Sequence, residues 1–191
     1  MAVAVEMFCG RPYDEIFMDK IADQAGTAHG FPFHYFGSKR GLFIEVLREI
    51  AEQIDAVHAD IPMDVPPQER LAIFLDRHLS FIQRNPALLS TLMRGARGLH
   101  HESTPLFEEL HARGARRIAD LLEVPEPSRT WQFMLRGWMG CFDELTLAWL
   151  REPDIISAEE LAQTLLDQLL DTLAKAAAFD APAEHPSTLA G

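Results

Sequence analysis

The chain has 191 residues, 48% of them apolar and 24% charged, with 17 Lys and Arg against 29 Asp and Glu and a net charge of −12. That length and apolar share can bury the core of one domain with a smaller one appended, and no run approaches the roughly 18 apolar residues of a membrane span. Cys9 and Cys141 lie far apart and outside any Cys-x-x-Cys spacing, which excludes a disulfide framework, and Met1-Ala2-Val3-Ala4-Val5 lacks the basic region and apolar run of a signal peptide, so a cytoplasmic location with no membrane partner is expected.

A short apolar helix opens the chain over residues 2–8 and gives way to the loop Arg11-Pro12-Tyr13-Asp14-Glu15-Ile16. In the second helix Ile21, Ala22 and Ala25 recur at i, i+1 and i+4, and Gly26 can end it in the left-handed conformation. A turn of three or four residues then leads into an aromatic third helix, the arrangement of a helix-turn-helix. Pro32 past the first turn of that helix would cost about 3 kcal/mol, so the helix is expected to start late, near Phe31, and to be short. Tyr35, Phe36 and Phe43 are expected to close a small three-helix core, while His34 is open between core and contact. Ser38 reads as an N-cap with Lys39 and Arg40 just inside it, where cations oppose the helix dipole at about 0.3–1 kcal/mol. Free N–H groups beside a lysine make a site for an anion such as phosphate, although the same two cations can also be simply solvated.

One long helix follows over residues 39–59, with Leu42, Phe43, Val46, Leu47, Ile50 and Ile54 at helical spacing, and a proline-rich connection over residues 60–67 stops it. Residues 68–84 form the next helix; Asn85-Pro86 then starts a short one to about residue 94, which Gly95 and Gly98 break. Ser103-Thr104-Pro105 opens a helix to about residue 122, and Val124-Pro125-Glu126-Pro127 ends it. The last two helices, over residues 128–150 and 157–178, are the longest, and Ser157-Ala158-Glu159-Glu160 begins the second of them with a capping box.

Ile21-Ala22, Ala25-Gly26, Gly30 and His34-Tyr35-Phe36-Gly37-Ser38-Lys39, followed by Leu42-Phe43, resemble the DNA-binding domain of the tetracycline-repressor (TetR) family over about the first 45 to 50 residues. The resemblance implies an all-α homodimer. Its helix-turn-helix domain would occupy residues 1–48, a helical effector-binding and dimerisation domain residues 49–179, and a disordered tail residues 180–191. The implied partners are a palindromic duplex operator, contacted through Thr27, Ala28, His29, Phe31, Phe33, His34 and Lys39, and a small-molecule effector that releases it. The last two helices would pair with those of the second subunit. Leu161, Leu165, Leu169, Leu170 and Leu173 supply an apolar stripe for that contact, though burial within one subunit would produce the same stripe. Members of the family carry a basic arm and a full first helix, of which about two turns are missing here; a wrongly assigned start codon is the expected reason, and the gene sequence upstream would settle it.

Within the motif, Phe17, Ala28 and Phe33 stand where the family has capping or phosphate-reaching hydroxyls. Charge is segregated only in part: residues 1–48 carry a net −1 and the rest −11, and phosphate neutralisation supplies most non-specific affinity for DNA. Two functions therefore stand side by side, a homodimeric repressor released by a mostly hydrophobic effector, and a related dimer with weakened DNA binding that serves as a ligand-binding or protein-interaction module. Phe74, His78, Phe81, Met93, Phe107, Trp131, Met134, Leu135, Trp138, Met139 and Phe142 could line the effector cavity, with His78, Arg94 or Asp143 as its polar handle; solid core is the alternative for each. No catalytic constellation, metal site or cofactor motif is present; His100-His101-Glu102 reads as a solvated, glycine-flanked loop.

Overall fold

Helix α1 (Ala2–Gly10) buries Ala4, Val5, Met7 and Phe8, and a single 3-10 turn at Tyr13–Glu15 leads from it into α2 (Met18–Ala25). The computed structural model describes residues 1–98 and 100–181, and among these it is built from α-helices. Gly26 ends α2 with φ +66°, and the amides of Gly26 and Thr27 donate to the carbonyls of Asp23 and Ala22 at 3.1 and 2.9 Å. That pair of crossed bonds is a Schellman cap, which needs a left-handed residue and so favours glycine. Helix α3 (Phe31–Phe36) begins at Phe31 with Pro32 in its first turn, where the missing N–H has no helical partner to lose.

The Ser38 hydroxyl accepts from the Gly41 amide at 3.0 Å and starts α4 (Lys39–Ala56), whose apolar face runs from Leu42 to Ile54. Then come α5 (Pro67–Arg84), α6 (Pro86–Gly98), α7 (His100–Leu121), α8 (Arg129–Arg151) and α9 (Ala158–Asp180). Gly95 does not break α6. A Cβ there would lie 2.5 Å from Cδ1 of Leu47, so the missing side chain is what lets α6 lie against α4. Helix α7 has already begun at His100, ahead of the start expected at residue 103, so the stretch read as a loop is helical backbone; the side chains of His100, His101 and Glu102 lie outside those described, as does the expected tail beyond residue 181. Helix α9 opens on the capping box, Ser157 and Glu160 satisfying each other's amides at 3.1 and 2.7 Å. The Ser128 hydroxyl caps α8 and also donates to the Asp180 carboxylate at the end of α9.

Two apolar cores result. One joins α1, α2 and α4 to Leu89 and Leu92 of α6, Leu106 of α7 and Leu147 of α8. The other is formed by α5, α7, α8 and α9 around Leu75, Leu79, Leu135, Leu161 and Leu165. Leu161, Leu165 and Leu169 are thus spent inside the subunit, and the stripe they form is core within one chain. Arg70 ties the proline-rich connection down: its guanidinium, buried, donates to the carbonyls of Met63, Val65 and Leu121 at 2.7–3.1 Å and to Glu123.

Candidate functional site

At the N-terminal unit, Thr27, Ala28, His29, Phe31, Phe33 and His34 are all exposed on one turn-and-helix surface, and Phe17, 64% exposed, adds to it. Tyr35 does not join the core. It is 71% exposed, with Phe31 stacked 6.0 Å from it on the outer side of α3, because a helix of six residues turns only one narrow face inward and Pro32 and Phe36 occupy it. Phe43 is buried as expected, against Phe8 and Tyr13 at ring distances of 4.8 and 5.2 Å. His29 is bridged to Asp23 at 2.8 Å and lies 4.0 Å from Asp19, so two carboxylates share the surface with it. Lys39, half-buried, carries its ammonium 4.3 Å above the Tyr13 ring, a cation–π contact that holds the charge at the start of α4.

Above this unit, α4, α5, α6, α7 and α8 line a cavity of about 110 Å³ that is open on one side. Phe74, His78, Met93, Phe107, Trp138, Met139 and Phe142 line it, with Asp143. Four expected residues do not. Phe81 packs against the first core, Trp131 and Leu135 are buried in the second, and Met134 lines a separate groove between α8 and α9. Each sits on the correct helix but roughly one turn or one face away from the void. Arg94 also faces elsewhere, toward Phe8 and Tyr13, and donates to the Thr91 hydroxyl at 2.9 Å.

The polar lining is richer than the sequence suggests. His58, buried, lies with its ring centroid 4.2 Å from that of Phe74 and its Nε2 3.2 Å from Nδ1 of His78. Burial disfavours the imidazolium in both: it holds His58 down to about 3, helped by the neighbouring His78, Arg117 and Arg77, and His78 down to about 4. Both rings are therefore neutral near pH 7. His111 pairs with Asp143 at 3.3 Å, and Arg113 joins α7 to α4 through Glu52 at 2.7 Å and Asp55 at 2.9 Å. Burial raises the Asp55 carboxyl, with Arg113 opposing it. Ala51, Ile54, Asp55 and His58 fall at i, i+3, i+4 and i+7, a spacing that could have placed His58 beside the cavity. Among the described residues no group of three His, Cys, Asp or Glu side chains is placed to hold a metal ion, and no helix is long and apolar enough to cross a membrane.

A family model described as "Bacterial regulatory proteins, tetR family" matches residues 1–46, and one described as "Tetracyclin repressor-like, C-terminal domain" matches residues 67–172. The chain is 30% identical over 162 residues to the HTH-type transcriptional regulator BetI 2 of Chromohalobacter salexigens, covering 79% of this chain and 77% of that protein. It is 30% identical over 92 residues to the fatty acid metabolism regulator protein of Bacillus subtilis, a match that spans about half of each, 47%. Among solved structures, a tetR-family transcriptional regulator from Streptomyces coelicolor superposes with a TM-score of 0.77 at 27% identity, over 94% of this chain and 80% of that one.

Proposed function

Because the chain belongs to the TetR family of bacterial regulatory proteins, which are DNA-binding transcriptional regulators and not enzymes, we propose that it is a homodimeric repressor that leaves a palindromic operator when a small, mostly hydrophobic effector enters the cavity. The observation that carries this reading is that cavity and DNA-facing unit share helices. Ala51, Ile54 and Asp55 of α4 and Leu89, Leu92 and Met93 of α6 line the void, and Leu42 to Leu47 of the same α4 form the core of the helix-turn-helix unit. Leu47 meets α6 at Gly95 with no room for a methyl group. An occupant that displaces α6 from α4 must therefore move the DNA-facing unit as well, and in a dimer this alters the distance of about 34 Å between two recognition helices set one DNA turn apart.

Dimerisation is assigned to the outward side of α8 and α9. Phe133 there is 77% exposed, and Gly137 and Gly140 leave open space above the backbone through which a second copy can approach.

A second reading has its own support. Phe17, Ala28 and Phe33 stand exposed where hydroxyls would bond phosphate, and Asp19 and Asp23 flank His29 on the same surface. A dimer of this kind would keep its ligand and bind DNA weakly. Fluorescence anisotropy with the DNA upstream of the protein's own gene, at several salt concentrations, separates the two. Tight, sequence-selective and salt-sensitive binding is the outcome expected of a repressor; equal weak binding to operator and scrambled duplex would sink that reading and leave the second.

A further inference from the structure

The turn and second helix of the helix-turn-helix unit, residues 27–36, contain no Arg, Lys, Asn, Gln, Asp or Glu. In the major groove each base calls for a different side chain: guanine for the paired N–H groups of Arg or Lys, adenine for the amide of Asn or Gln, cytosine for a carboxylate, and thymine for apolar contact with its C5 methyl group. The side chains of this segment fit the last of these. Lys20 and Gln24 are exposed on α2, but in this motif the first helix lies across the sugar–phosphate backbone and the second enters the groove.

Polar groups within the segment are few and mostly committed. Thr27 donates its hydroxyl to the Ala22 carbonyl at 3.4 Å. His29 has its Nε2 2.8 Å from the Asp23 carboxylate and its Nδ1 4.0 Å from that of Asp19, so both ring nitrogens are turned toward α2. His34 and Tyr35 can each make single hydrogen bonds, but not the paired one that distinguishes guanine or adenine.

The apolar groups, by contrast, are placed outward. Pro32 and Phe36 occupy the inward face of α3. At about 3.6 residues per turn, His34 then points away from the core with Phe31 on one flank and Phe33 on the other. Phe31 and Phe33 are each half exposed, Tyr35 lies beside Phe31 at a ring distance of 6.0 Å, and Ala28 is exposed in the turn before them. Rings grouped on a surface in this way mark an interaction site, and thymine methyls are the apolar groups that a major groove offers them.

We propose that the recognition helix reads its operator through thymine methyl groups: Phe31 and Phe33, with Ala28, pack on the C5 methyls of T·A pairs in each half-site and set its sequence, while phosphate contacts set the register. A cytosine methylated at C5 presents the same methyl group, so it is accepted at these positions better than unmethylated cytosine. The inference rests on the reading of the chain as an operator-binding regulator and specifies what that regulator reads.

Selection of duplexes from a random-sequence pool by the full chain, followed by anisotropy titrations of the selected duplex, tests it. Each thymine of the half-site is replaced in turn by deoxyuridine, which removes the methyl and leaves the base pairing unchanged. At the positions facing the two rings this should lower affinity about four-fold, the equivalent of about 0.8 kcal/mol for one buried carbon. The factor should be the same at low and high salt, because no phosphate contact is lost. With C·G at those positions, 5-methylcytosine should bind better than cytosine by a similar factor. Phe31→Ala and Phe33→Ala, both at exposed sites, should each bring the ratio of thymine to deoxyuridine affinity at one position to about one. The deoxyuridine series uses the unmodified chain, so its result does not depend on how the variants fold. Affinity indifferent to every deoxyuridine replacement, or selected half-sites whose essential pairs are all G·C, overturns the proposal and leaves the operator-binding reading standing; no enrichment of any sequence removes both.

Discussion

Residues decide how this chain meets DNA and acid. Lys39 is held over the Tyr13 ring at the start of α4, whose Gly41 amide Ser38 caps, and the N-terminal end of a helix favours an anion such as phosphate. Replacing Lys39 with Ala should weaken DNA binding about equally for all sequences and lower the slope of log affinity against log salt by about 1; an unchanged slope in anisotropy titrations would remove Lys39 from the interface. The buried imidazoles make a second prediction, whose sign follows from their depressed pKa values. Above the ordinary value of 6.5 both histidines are neutral in the folded and the unfolded chain, and stability does not depend on them. Below it the unfolded chain takes up protons that the fold refuses down to about 4 at His78 and about 3 at His58. Stability should therefore fall with pH from about 6.5 downward, by about 1.4 kcal/mol per pH unit for each histidine. Urea unfolding at pH 7, 6 and 5 measures this, and His58→Phe should flatten the profile relative to the unmodified chain. At this scale the sequence identified His78 and Asp143 as lining residues but not their partners: the His58 and His111 contacts join residues 20 and 32 positions apart, beyond the reach of any local pattern.

Helices α4 and α6 each border both the cavity and the core of the DNA-facing unit. A glycine inside α6 costs about 1 kcal/mol of helix propensity relative to alanine, and the close approach of Leu47 explains why one is there. Gly95→Ala should lose more through overpacking, about 1–3 kcal/mol, than it gains in propensity. Leu47→Val in the same chain should restore part of that loss, so a double-mutant cycle by chemical denaturation would show a coupling of the two sites; strictly additive effects would mean that α4 and α6 do not touch there. The helix boundaries read at Gly26, Ser38, Asn85-Pro86 and Ser157 agree with the structure; at Gly26, Ser38 and Ser157 a local hydrogen bond makes the cap, whereas the Asn85 side chain donates to the Phe81 carbonyl of the preceding helix. The reading failed at Gly95, where a glycine that looks like a stop is required by a neighbouring helix instead.

At the scale of the molecule, one of the two cores runs from α1 through α4 into α6, α7 and α8, so the DNA-facing unit and the helices around the cavity share packed side chains. In the proposed dimer the exposed ring of Phe133 lies on the surface given to the partner. Phe133→Glu should shift sedimentation from dimer toward monomer and, because two half-sites must be engaged together, weaken operator binding more than ten-fold without lowering Tm by more than a few degrees. A dimer unaffected by this change would place the interface elsewhere.

The helix-turn-helix was legible in the sequence because its signals are short in range: a left-handed glycine, an N-cap, a proline that only a first turn accepts. The order of the later helices and the presence of an aromatic-rich second core were legible for the same reason, as apolar spacing repeats along one helix. Tertiary structure alone decided which of those apolar side chains surround a void and which fill the core: Trp138 and Phe142 line the cavity while Trp131 and Leu135, on the same face of α8, do not. It alone decided that Tyr35 points outward and that Leu161, Leu165 and Leu169 are turned inward. Periodicity tells which side of a helix is buried, but the neighbour that covers it, and the gap left between them, are set by how distant helices cross.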